Sequence, residues 1–75
     1  MEENDVLLRE FGRNLRRARR EVGLTQEKLA ERSGMDITNL QRIEAGKYNT
    51  KVLSLIRLRD ALGIEWDDLL PQFGK

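Results

Sequence analysis

The chain has 75 residues, no cysteine, no histidine and a formal charge of +1. That length fits one domain, residues 1–75, with a modest core. Lacking cysteine it has no disulfide or thiolate metal site, and lacking histidine it loses the usual general base and the commonest metal ligand.

No cofactor is therefore expected. Catalysis would rest on carboxylates, lysines or Tyr48. No carboxylate pair or glycine-rich phosphate loop offers itself, so no enzyme is expected, and no small-molecule ligand is implied. No apolar run nears the ~18 residues of a membrane span. The start, MEENDVLL, lacks the basic-then-apolar order of a secretory signal. A cytoplasmic protein with no membrane partner is the expectation.

The charge is unevenly spread. Residues 1–8 carry Glu2, Glu3 and Asp5 and no base. Residues 60–75 carry Asp60, Glu65, Asp67 and Asp68 against Lys75. The middle, 9–59, holds 13 basic and 6 acidic residues. A cationic centre between acidic ends fits a protein with one basic face. A solvated helical surface would look the same, because arginine is also a good helix former.

Apolar residues recur at spacings of three and four, the helical period, and no alternating run suggests a strand. The first helix is predicted over about 6–22, with Asp5 as N-cap and Phe11, Leu15, Ala18 and Val22 as its inner stripe. Gly12 within it costs up to ~1 kcal/mol against alanine, so a packing reason is expected nearby. The second helix opens at Thr25, a hydroxyl N-cap, and ends near Ser33. Leu29 and Ala30 should face inward. Gly34 begins a turn of about three residues. The third helix starts at Asp36, with Met35 and Leu40 spaced as a hydrophobic staple. Ile37, Leu40 and Ile43 form its apolar side, and Thr38, Asn39, Gln41 and Arg42 its polar side. Gly46 stops it, and residues 47–50 form a loop. The fourth helix spans roughly 51–62, with Val52, Leu55, Ile56 and Leu62 apolar. A short fifth covers about 65–70, and Pro71 prevents its continuation. The fold class is all-α. Two short helices joined this tightly cross steeply, which gives a helix-turn-helix over about 25–45.

The stretch TQEKLAERSGMDITNLQRIEAG resembles the helix-turn-helix of the phage repressor and Cro family, also called the xenobiotic-response-element family. Gln26, Ala30, Gly34, Leu40, Ile43, Glu44 and Gly46 stand in its register. The likeness runs from about Phe11 to Leu70. It implies a compact five-helix, lambda-repressor-like domain. It also implies a transcriptional regulator that binds double-stranded DNA sequence-specifically, as a homodimer on a near-palindromic operator. A chain of this size resembles the controller proteins of restriction–modification systems and the smallest phage-type repressors.

By this resemblance the base-reading positions are Ile37, Thr38, Gln41 and Arg42, on a recognition helix over 37–45. Ile37 replaces a polar residue common in the family; it completes the apolar stripe or touches a thymine methyl. Gln41 replaces a frequent serine and adds an adenine or a phosphate contact. Phosphate contacts fall to Gln26, Asn14, Arg17, Lys47, Tyr48 and Asn49, with Arg13 a further candidate. Arg19 and Glu44 match a partly buried ion pair between the first and third helices. Trp66, Leu69 and Phe73 are expected at a dimer interface built on the fifth helix. The alternative is an antitoxin or another protein-interaction module, with DNA binding secondary.

Overall fold

The computed structural model describes residues 3–72, so Phe73 lies outside the described residues. Five helices follow in order: α1 (Glu3–Glu21), α2 (Gln26–Ser33), α3 (Ile37–Glu44), α4 (Val52–Leu62) and α5 (Trp66–Leu69). Among the described residues there is no strand. α1 packs on α3 and α5, while α2 packs on α3 and α4.

Each helix lends the core a few apolar side chains. Phe11, Leu15 and Ala18 come from α1, Leu29 and Ala30 from α2, and Leu40 and Ile43 from α3. Leu58 and Leu62 come from α4, and Leu69 from α5. Met35 and Ile37 are half-buried against this cluster, as the staple and the apolar stripe required.

Three expectations change. α1 begins at Glu3, so Asp5 lies in its first turn and is not the N-cap. There its charge still meets the positive end of the helix dipole. Val22 falls just past the last residue of α1 and is 46% exposed, so it leaves the inner stripe. On α4 the register differs more. Val52 is 69% exposed and Ile56 38%, whereas Leu58 is fully buried and Leu55 half-buried. The first turns of α4, VLSLI, are apolar on nearly every side, so periodicity could not choose a face there. Packing against α2 chooses the Leu55, Leu58 and Leu62 side.

Gly12 has the packing reason its position demanded. A Cβ there would lie 2.8 Å from the Glu44 carbonyl oxygen and closer still to that of Ile43. Both are backbone atoms at the end of α3, so only glycine lets α1 and α3 approach this closely.

Gly12→Ala should force α3 away and cost about 1–3 kcal/mol. Leu58→Ala should cost about 2–5 kcal/mol by leaving a core cavity, while Val22→Ala should change stability by about 0.5 kcal/mol or less. Urea unfolding of the three variants checks, in turn, the close approach of α1 and α3, the inward face of α4 and the exposure of Val22.

Candidate nucleic-acid interface

Both helices of the pair are capped by their own sequence. The Thr25 hydroxyl accepts the Lys28 backbone N–H at 3.0 Å. The Asp36 carboxylate accepts that of Thr38 at 2.7 Å. Between them the turn has three residues, 34–36. Gly34 sits at φ +67°, where a side chain would strain the backbone. The Met35 N–H reaches back to the Ala30 carbonyl at 2.9 Å, closing α2. The second helix of the pair thus starts three residues after the first ends, with Thr38 of its first turn exposed.

The outward side of α3 carries Thr38, Gln41 and Arg42, all exposed. The guanidinium of Arg42 stands 5.1 Å from the centroid of the Tyr48 ring, a cation–π distance. Tyr48 is itself half-buried against the core. It is therefore a platform that restricts where Arg42 can reach. Ile37 takes the stripe role: it is half-buried against the core at the first turn.

Behind this face lies a polar network with fixed polarity. Arg19 and Glu44 form a two-pronged ion pair, Nε to Oε2 at 2.7 Å and Nη2 to Oε1 at 3.0 Å. Their side chains are only 10% and 4% exposed. The remaining nitrogen of Arg19, Nη1, donates to the Leu24 carbonyl at 2.9 Å and pins the turn before α2. Glu44 Oε1 also accepts Gln26 Nε2 at 2.9 Å. A carboxylate only accepts, so the Gln26 amide must turn its NH2 group toward it. The Gln26 oxygen then faces outward and takes a long bond, 3.5 Å, from Gln41 Nε2. Gln41 keeps its own oxygen and a second N–H free.

The other expected residues are divided. Lys47 and Asn49 are exposed in the loop after α3. Asn14 is half-buried and donates to the Leu69 carbonyl at 3.1 Å, so its amide fastens α5 to α1. Arg17, exposed, donates to the Asn14 oxygen at 2.7 Å. Leu69 is fully buried within this one chain and finishes the core, so it offers no surface to a second copy. Trp66 is half-buried against the core, with the Arg59 guanidinium 5.2 Å over its ring. The most exposed apolar side chains lie elsewhere, Val52 and Leu53 at 69% and 66%, and Val6, Val22, Ile56 and Leu70 are exposed too. Val52 and Ile56 were expected only as apolar positions of the fourth helix, and Leu53 was not among them. The surplus of apolar residues in VLSLI was the available signal.

The fold and this surface define a DNA-binding helix-turn-helix protein. The family model described as Helix-turn-helix matches residues 15–69, and the chain belongs to that family. It is 42% identical over 59 residues to the uncharacterized HTH-type transcriptional regulator y4dJ of Sinorhizobium fredii, covering 79% of this chain and 77% of that one. It is 34% identical over 73 residues to the control protein C.MunI of Mycoplasma sp, covering 96% of this chain and 97% of that one. Among solved structures it is similar to the restriction-modification controller protein C.AhdI of Aeromonas hydrophila. That match has a TM-score of 0.80 and 38% identity, and covers 84% of this chain and 96% of that one.

Removing one partner of the buried pair strands the other. Glu44→Ala should cost about 3–5 kcal/mol, far more than a surface ion pair is worth. Thermal unfolding of the variant checks this.

Proposed function

We propose that this protein is a sequence-specific transcriptional regulator that reads duplex DNA with α3 in the major groove. One observation carries the reading. The polar face of α3 is exposed, while the same helix is anchored by a buried ion pair that also holds Gln26 at the start of α2. A recognition surface needs both properties, because base edges are read by side chains whose backbone does not move.

The roles follow from the chemistry. Arg42, steadied on Tyr48, forks onto a guanine edge. Thr38 bonds a base edge or the phosphate beside it. The free oxygen and second N–H of Gln41 match the donor and acceptor of adenine. Gln26 stands at a helix N-terminus, where the dipole and free N–H groups favour phosphate, and its second amide hydrogen is available to one. Lys47 and Asn49 hold the backbone beyond α3. The relatives named as regulators and controllers weigh for this reading over a toxin-binding module. The protein acts in the cytoplasm, without a cofactor and without an enzymatic step of its own.

The regulator works as a homodimer, which sets two copies of α3 about 34 Å apart on a near-palindromic operator. Its contact is built on Val52, Leu53 and Ile56 of α4 together with Leu70. Three apolar side chains on one exposed helical stretch are costly to leave in water, and burial against a second copy removes that cost. The acidic residues of α5, Asp67 and Asp68, keep that end of the molecule away from phosphate.

Selection from a random duplex pool should return a site with two-fold symmetry. On it, Arg42→Ala should cost about 1–3 kcal/mol and relax preference at one base pair. Lys47→Ala should weaken all sequences alike and lower the salt slope by about one. Affinity insensitive to salt would overturn the DNA reading. Sedimentation should give a dimer for the wild type and a single-chain mass for Leu53→Lys.

A further inference from the structure

Met1 and Met35 are the only sulfur-bearing residues of the sequence, and Met35 is the one that falls among the described residues. Two kinds of surroundings meet at it. On one side it is half-buried against the core, at the staple position before α3 that is spaced to the fully buried Leu40. On the other it lines a surface depression together with Asp36, Asn39, Thr50, Lys51 and Ser54. The depression has a volume of about 200 Å³. A peroxide molecule is little larger than water, whose share of the liquid is about 30 Å³, so the depression admits one beside Met35.

A thioether sulfur reacts with peroxide without any catalyst. Its lone pair attacks one peroxide oxygen and the O–O bond breaks. Sulfur is oxidised by two electrons to the sulfoxide. The proton on the transferred oxygen passes to the departing hydroxide, which leaves as water. The product carries a strong acceptor where the side chain was apolar, and an acceptor left unpaired against the core is costly. The depression offers it partners. Asn39, Thr50, Lys51 and Ser54 all carry donors, and among the described residues none of them spends its side chain on a hydrogen bond.

We propose that Met35 is a modification site: hydrogen peroxide oxidises it to the sulfoxide, which leaves the core for these donors and displaces the first turn of α3. The turn is poorly placed to resist. The next residue, Asp36, caps α3 by accepting the Thr38 N–H, so a shift at Met35 moves the cap with it. A helix of eight residues has little stability of its own to hold its start in place. Thr38 lies in that turn, so oxidation switches sequence-specific binding down. That consequence rests on the DNA-binding reading above, whereas the oxidation and the helix displacement do not.

The test treats the intact protein with hydrogen peroxide and locates the added oxygen by mass spectrometry of its peptides, which should place it on Met35. Affinity for the duplex recovered from the random pool should then fall about tenfold, the scale of one half-buried side chain lost from its packing. Hydrogen exchange should show faster opening of the α3 amides and no change in α1. Methionine sulfoxide reductase with a thiol reductant should restore both. Met35→Leu keeps the volume and the staple without the sulfur, and should bind alike before and after peroxide. Met35→Gln sets a polar side chain of similar length there, and should bind weakly without any oxidant. The proposal is overturned if Met35 escapes oxidation in the folded protein, or if the oxidised protein keeps its affinity and its α3 protection. It is overturned equally if Met35→Leu loses as much to peroxide as the wild type does. Untreated protein that binds no duplex would instead overturn the DNA reading, and the α3 amides would still decide whether oxidation displaces the helix.

Discussion

The ion pair between Arg19 and Glu44 is the interaction on which the rest of the surface depends. It is a costly choice in itself. Two charges leave water, and Glu44 sits at the end of α3, where the helix dipole disfavours a carboxylate. Good geometry offsets this. Two short bonds join the pair, a third ties Arg19 to the Leu24 carbonyl, and a fourth brings Gln26 to Glu44. Net stability gained from such an arrangement is small. What it supplies is direction, because α1, the start of α2 and the end of α3 are held at one point.

That point needs the helices to be close, and Gly12 permits it. With the carbonyls of Ile43 and Glu44 lying against its Cα, α3 cannot slide along α1 without losing the ion pair. The three-residue turn at Gly34 restrains the other end of α3. A helix of eight residues would be marginal by itself. Here it is held at both ends, and its side chains reach outward from a fixed backbone.

The surface shows the opposite economy. Core positions agree with their local sequence, while several exposed ones do not. Val52 and Leu53 are apolar in water, and the α1 arginines repel one another. Local rules broken at the surface, without a compensating contact inside the chain, mark places where another molecule supplies the compensation. The second copy proposed above is a partner whose chemistry fits the apolar place.

Much of this was legible in the sequence. Thr25, Asp36 and Gly34 act through nearby backbone, so their caps and the turn could be read from residue type alone. The stripe of Phe11, Leu15 and Ala18 and the exposure of Thr38, Gln41 and Arg42 followed from helical period. Tertiary structure decided the rest. The buried side of α4 depended on α2, because VLSLI is apolar all round. Leu69 entered the core, and Asn14 turned to its carbonyl, through contacts between residues 55 apart in the chain. The orientation of the Gln26 amide followed from the placement of Glu44 beside it, and the platform under Arg42 from the loop that returns Tyr48. Local periodicity names the residues that can share a face, and only packing between distant segments selects which face is buried and which groups remain free.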